Sequence, residues 1–229
     1  MLVVILALLL AAAVVGPGLW VRRVMAHYRE PADRYRQRGA GGELARHLLD
    51  RFELREVPVE AVEMGDHYDP AARVVRLHRD HYHGYSLTAV TVAAHEVGHA
   101  LQHRDGSILF QWRQQLAGLA QSTEKVGVGV MAVMPLVLAL TRAPQAGLAM
   151  FIGGLLTLGV GTLVHLLTLP VEWDASFHRA YPILLRGEYL LPGDEAGARR
   201  ILRAAALTYV ASSLMSLLNV MRWLRVLRR

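Results

Sequence analysis

Long apolar runs constrain this chain before any motif is read. Residues 2–21 form a run of about twenty apolar positions, roughly 30 Å long as an α-helix, which is enough to cross a bilayer. Residues 126–141 and 146–169 are two more, joined by the short link Arg142-Ala143-Pro144-Gln145. The first of these is a little short and holds Pro135; the second is comfortably long. A backbone in hydrocarbon must satisfy its own hydrogen bonds, so such runs are read as helices. Small residues recur in both (Gly127, Gly129, Gly153, Gly154, Gly161), which suits close helix packing in lipid. The pair is read as a transmembrane hairpin, which returns the chain at Pro170 to the face it left.

The composition agrees: 53% of residues are hydrophobic and the mean hydropathy is positive. The net charge of +6 comes almost wholly from arginine, Lys125 being the single lysine. These arginines sit beside the apolar runs, a placement that sets topology and does not suit phosphate readout, so no nucleic-acid partner is expected. No positive charge precedes residues 2–21, while Arg22 and Arg23 follow at once; that order predicts a retained anchor, not a cleaved signal. Arg29, Arg34, Arg36 and Arg38 then place the next segment on the cytoplasmic side. Residues 196–221 are apolar too, but Arg199, Arg200 and Arg203 open them, and Arg222, Arg225, Arg228 and Arg229 follow. A span there would put the basic tail outside, so a helix packed on the catalytic region or lying at the interface is expected, with a fourth span as the alternative. The absence of cysteine excludes disulfides and thiolate metal sites.

Residues 22–85 read as soluble. Residues 39–42 look like a flexible break, and residues 43–52 like a short amphipathic helix with Leu44, Leu48 and Leu49 on one face. Residues 57–64 and 73–77 then read as a hairpin with the turn chemistry of Asp69-Pro70-Ala71-Ala72 nearby. A strand just before residue 86 has two readings: a free edge for an extended peptide, or plain cover for the core.

Residues 95–99 are His-Glu-Val-Gly-His, inside a helical run over residues 86–103. Two histidines four apart share a helix face, so His95 and His99 can aim both rings at one cation, with Glu96 beside them. With eleven His and eleven Glu in 229 residues, chance supplies on the order of 0.03 such matches. Gly98 weakens the helix by about 1 kcal/mol relative to alanine, which close approach of another backbone would explain. Catalytic zinc takes three protein ligands and leaves a position open. For the third, Asp105 is disfavoured because Gln102 stands where the long metzincin pattern needs glycine. His103 is two turns from His95, and Glu124 abuts Lys125 at the start of an apolar run. Glu172 is better placed: it follows Pro170 in a new helix, with Ser176 one turn later to hold a carboxylate or a ligating imidazole.

Several blocks in order carry a family resemblance: His67-Tyr68-Asp69-Pro70, Val74 to Leu77, Ala93 to Ala100, Leu169-Pro170-Val171-Glu172 with Ala175-Ser176, and Ala204 to Val210. They resemble the YugP-type neutral zinc metallopeptidases of membranes, and more distantly the HtpX-type and CAAX prenyl proteases. The resemblance implies His95, His99 and Glu172 as ligands of one Zn²⁺ and Glu96 as general base. It names no particular substrate; a peptide or protein substrate is expected from the hydrolysis such a site would perform. Where the HtpX-type pattern has Asp four residues after the ligand Glu, this chain has Ser176. Tyr209 and His178 are candidate oxyanion donors, and His165 shares the face of Glu172.

The expected protein is thus a mainly α-helical membrane protein with a small β-hairpin or sheet, combining a zincin-type (gluzincin-like) catalytic domain with transmembrane helices. Its parts are an anchor (1–21), a cytosolic catalytic region (22–125), a transmembrane hairpin (126–169) and a third-ligand helix plus C-terminal helix (170–229). The expected activity is peptide-bond hydrolysis at the cytoplasmic face of the cell membrane, in a multi-pass protein acting on membrane or misfolded proteins. Two rivals are a scaffold or quality-control adaptor with a structural zinc, and an intramembrane site-2-type protease. The latter lacks its Leu-Asp-Gly partner motif here, and Arg79, Asp80, Arg104 and Asp105 bracket a stretch shorter than a span.

Overall fold

The computed structural model describes residues 1–141 and 143–227, so the expectations on Arg142, Arg228 and Arg229 lie outside the described residues, as do the side chains of Glu124 and His165. The chain is mainly helical with one small sheet. In order come α1 (Leu2–His27), α2 (Gly41–Arg51), β1 (Val59–Val62), β2 (His67–Asp69), β3 (Val74–His78), α3 (Arg79–Tyr82) and α4 (Leu87–Arg104). Then follow α5 (Ile108–Thr141), α6 (Pro144–Leu167), α7 (Leu169–Trp173), a π-helical segment (Asp174–Ala180), α8 (Tyr181–Arg186) and α9 (Glu195–Leu227). Two compact units result: one joins Met1–Gly18, Trp112–Leu169 and Tyr209–Arg229, the other Leu19–Gln111 and Pro170–Thr208.

The first unit is made of the apolar helices. Among the described residues one helix, α5, is long and apolar enough to cross a membrane; its most apolar window is only 12% buried. This helix begins at Ile108, well before the expected start at residue 126, and takes in Lys125. In α6 the apolar side chains Leu148, Ile152, Leu156 and Leu163 are likewise exposed.

The second unit is built around α4. Ser86 caps it, its Oγ accepting from the Ala89 N–H at 3.2 Å, which supplies one of the donors a helix start leaves orphaned. Every residue from Leu87 to Gln102 is buried. A helix buried all round is either a core helix or a span, and α4 is the former: α2, α3, the sheet, the π-helical segment and α8 pack against it. Leu48 and Leu49 of α2, Leu77 of β3, Leu184 of α8 and Ile201 and Leu202 of α9 are fully enclosed. Each contributes about 1.5–3 kcal/mol of burial.

The glycines before α2 are not a flexible break. Gly41 and Gly42 begin the helix, and a Cβ on Gly41 would strike the His81 carbonyl oxygen and lie 2.8 Å from that of Ala89. They are there because α2 passes that close to α3 and α4.

The sheet corrects the expected hairpin. Its order is β1-β3-β2; β1 runs parallel to β3, and it is β2 that forms the antiparallel hairpin with β3. The expected turn is present: Asp69 Oδ1 accepts from the N–H groups of Ala71 at 2.9 Å and Ala72 at 3.1 Å. The strand immediately before α4 is therefore the central one, with both edges already paired, so β3 cannot take up an extended peptide. A loop between β1 and β2 turns the chain far enough for the parallel pairing, and nothing in the local alternation reveals it. Asp66 in that loop anchors it, with Oδ1 accepting from the His78 N–H and Oδ2 from His81 Nδ1, both at 2.8 Å.

Candidate metal centre

The helix period sets the first two donors. His95 and His99 sit on successive turns of α4 with ring centroids 4.7 Å apart, and both side chains are buried. The third donor comes from an element 73 residues further on. Pro170 opens α7, and Glu172, 1% exposed, points its carboxylate at both rings: Oε2 is 3.2 Å from His99 Nε2 and 3.4 Å from His95 Nε2. One ligand atom from each of the three residues lies within 4.8 Å of the other two.

Close backbone contact makes this approach possible. A Cβ on Gly98 would lie 2.7 Å from the Ala175 carbonyl oxygen and 3.4 Å from its Cα. Glycine between the two histidines thus lets the segment after Glu172 rest directly on α4. There the chain widens into π-helical turns from Asp174 to Ala180, a form common at functional sites because it shifts the register of side chains along a helix.

The donor set fits a divalent cation such as zinc. Ser176 is fully buried; its Oγ donates to the Leu202 carbonyl at 3.2 Å and lies 3.1 Å from His95 Nδ1. A hydroxyl has one proton to give; with it directed to Leu202, the oxygen is left to accept from a hydrogen on His95 Nδ1. His95 Nε2 then turns to the Glu172 carboxylate, 3.4 Å away, and a cation held by both would suit this arrangement. Two imidazoles and one carboxylate also suit zinc chemically.

The chain matches the family model described as "Putative neutral zinc metallopeptidase" over residues 1–228. The chain belongs to this family. It is also 35% identical to "Putative membrane protease YugP" of Bacillus subtilis (strain 168), across 96% of each chain. No solved structure matches it. The expected family is thus shown, and its description is that of a zinc metallopeptidase.

Around the donors the family member carries features that sequence reading did not single out. Gln102, fully buried one turn beyond His99, places Oε1 2.9 Å from His99 Nδ1. Asp174 accepts from the Gln102 amide at 2.7 Å and from Arg179 Nε at 3.0 Å. Burial pushes the Asp174 carboxyl up, but Gln102, Arg179 and His178 outweigh that and hold it below its ordinary value. In the sequence Gln102 marks only the departure from the long metzincin pattern, although its spacing of seven from His95 puts it on the His95/His99 face.

The remaining candidates have other surroundings. His178 is largely exposed and pairs with Asp174 Oδ1 at 3.2 Å. Tyr209 belongs to the first unit, where the Arg113 guanidinium lies 5.0 Å from its ring centroid. Asp105, at the end of α4, is held by Arg104 and Arg179. Burial raises its carboxyl and the two arginines more than reverse that, so it stays low. His103 turns its Nδ1 to the Tyr68 hydroxyl at 2.8 Å, and burial with the nearby Arg73 charge pushes its pKa down.

Proposed function

We propose that this protein is a membrane-bound zinc metallopeptidase of zincin, gluzincin-like type that cleaves peptide bonds in membrane or misfolded proteins. The observation that carries the reading is the convergence of His95, His99 and Glu172 from two elements 73 residues apart, all buried. Packing alone is a poor explanation for such a cluster, because desolvating three polar side chains at one point is costly.

In this reading His95 Nε2, His99 Nε2 and a Glu172 oxygen hold one zinc ion. Zinc so held supplies a Lewis acid that lowers the pKa of water to about 7 and polarises a carbonyl. Glu96, next to His95 and 5% exposed, is the general base: it takes the proton from the attacking water and returns it to the leaving amine. Ser176 holds His95 in the tautomer that ligation requires. Tyr209 and His178 are the candidate donors to the oxyanion, and His178 would have to leave Asp174 to serve.

The membrane part of the proposal is a multi-pass chain. It has an N-terminal anchor over residues 1–21, a catalytic region over 22–125, a hairpin over 126–169 and a returning segment over 170–229, with the site on the cytoplasmic side. Its supports are the apolar runs, the arginine placement, the exposed apolar surface of α5 and α6 and the name of the Bacillus relative. Lipid is the natural cover for helices whose apolar faces are not buried by the protein.

The test is metal analysis with peptidase assay on purified protein and three variants. Glu172→Ala should lose zinc, whereas Glu124→Ala should keep it. Glu96→Gln should keep zinc and lose cleavage of an unfolded protein substrate. Undiminished cleavage by Glu96→Gln would remove the base assignment, and full zinc in Glu172→Ala would remove the ligand assignment.

A further inference from the structure

We propose that Gln102 is a positioning residue of this centre, one that fixes the tautomer of His99 and clamps the backbone on both sides of Glu172. The inference rests on the zinc reading above and extends it to a residue outside the ligand set.

A side-chain amide has one acceptor oxygen and an NH₂ with two hydrogens. Both hydrogens of Gln102 are committed: Nε2 donates to the Val171 carbonyl at 2.9 Å and to Asp174 Oδ2 at 2.7 Å. Neither acceptor has a hydrogen to offer, since one is a backbone carbonyl and the other a carboxylate ion-paired with Arg179. Turning the amide over would set its oxygen against two oxygens in a fully buried place. The orientation is therefore fixed, and Oε1 faces His99 Nδ1 at 2.9 Å as an acceptor only. His99 must put its hydrogen on Nδ1, which leaves the Nε2 lone pair aimed at the point it shares with Glu172 Oε2, 3.2 Å away.

The same amide ties two elements together. Val171 precedes Glu172 and Asp174 follows it by two, so one side chain of α4 grips the third-ligand helix on either side of its ligand. Arg179 extends the grip: it donates from Nε to Asp174 and from Nη1 to Asp105, at the end of α4. Ligating histidines held from behind typically lose 10–100-fold in metal affinity when the partner is removed.

The experiment uses the full chain, detergent-solubilised, labelled with ¹⁵N-histidine and stripped of metal, at mildly alkaline pH. Long-range ¹H–¹⁵N correlation spectra read the tautomer, and the His99 signals are those missing from His99→Ala. Wild type should show His99 protonated at Nδ1. Gln102→Leu should shift it to a mixture of tautomers and weaken zinc, measured by chelator competition, by about 10–100-fold. Gln102→Glu should also weaken zinc, because its carboxylate faces that of Asp174. Adding Asp174→Asn should recover part of that loss, since the asparagine amide then donates to the introduced carboxylate, which still accepts from His99, while the Val171 carbonyl keeps no donor from position 102. A purely structural Gln102 would leave the His99 tautomer unchanged in Gln102→Leu.

Metal-free wild type with His99 protonated at Nε2 alone, leaving Nδ1 bare, would overturn the proposal, even if Gln102→Leu failed to fold. So would zinc affinity in a folded Gln102→Leu within about threefold of wild type, against the expected 10–100-fold. His99→Ala separates the two readings: if it keeps full zinc, the metal centre itself is wrong. If it loses zinc while Gln102→Leu does not, only the role of Gln102 falls.

Discussion

Gly98→Ala tests how the centre is assembled without touching a ligand. A Cβ at this position would lie 2.7 Å from the Ala175 carbonyl oxygen, so that backbone must withdraw by about 0.7 Å to reach the 3.4 Å of ordinary contact. On an open helix surface the change would stabilise by about 1 kcal/mol through helix propensity. Here overpacking against backbone costs about 1–3 kcal/mol, because neither α4 nor the π-helical segment has a flexible end to move aside. Net destabilisation of about 0–2 kcal/mol is therefore expected.

The larger effect falls on metal binding. Ala175 lies three residues after Glu172 and one before Ser176, so a shift of its carbonyl carries both away from the histidines. Loss of fine alignment by such a distance costs on the order of tenfold or more in affinity and up to about 100-fold in turnover. The assay is chelator competition for zinc alongside thermal unfolding of the metal-free protein. If Gly98→Ala raises the unfolding midpoint and leaves zinc affinity unchanged, the close approach of the two elements is refuted.

Three further outcomes are expected. Ser176→Ala removes the acceptor for His95 Nδ1 and should lower zinc affinity by about 10–100-fold, while Ser176→Thr, if accommodated, should keep most of it; chelator competition reads both. Tyr35 is 1% exposed, its hydroxyl donating to Asp194 Oδ2 at 2.8 Å and accepting from the Leu191 N–H at 3.1 Å. Tyr35→Phe should therefore cost about 1–3 kcal/mol in denaturant unfolding with zinc stoichiometry unchanged. Burial raises the Asp66 carboxyl, but its bond to His81, the His81 charge and the His78 N–H outweigh that and hold it below 3.8. A depressed carboxylate stabilises the folded state above its unfolded value and loses that contribution as pH falls through the folded one. Stability should thus fall below pH 3.8 in wild type, with a shallower slope in Asp66→Asn.

Much of the centre could be read without coordinates. His95 and His99 were legible because a four-residue spacing on one helix is a local property, and the α2 leucines and the Asp69 turn were legible for the same reason. Glu172 was within reach of the sequence only as the best of several carboxylates; helix period says nothing about which distant segment returns to a site. The parallel β1–β3 pairing was not legible, since alternation specifies that a strand forms and not which neighbour or direction it takes. Gly41 and Gly42 read as flexible for a related reason: a glycine needed for close packing and one needed for a turn look alike in one dimension.

The sequence by itself determined the elements whose causes lie within a turn or two. These are the apolar helices, the helical run of α4, two imidazoles on one of its faces and a chain without thiols. Only the tertiary structure decided what closes the candidate metal centre. Gly98 admits the Ala175 backbone, the π-helical turn sets Ser176 behind His95, and Gln102 joins His99 to the residues flanking Glu172. Each of these is a contact across roughly 70 to 80 residues of chain, fixed by volume and hydrogen-bond direction in a dry interior. A linear pattern carries no record of either.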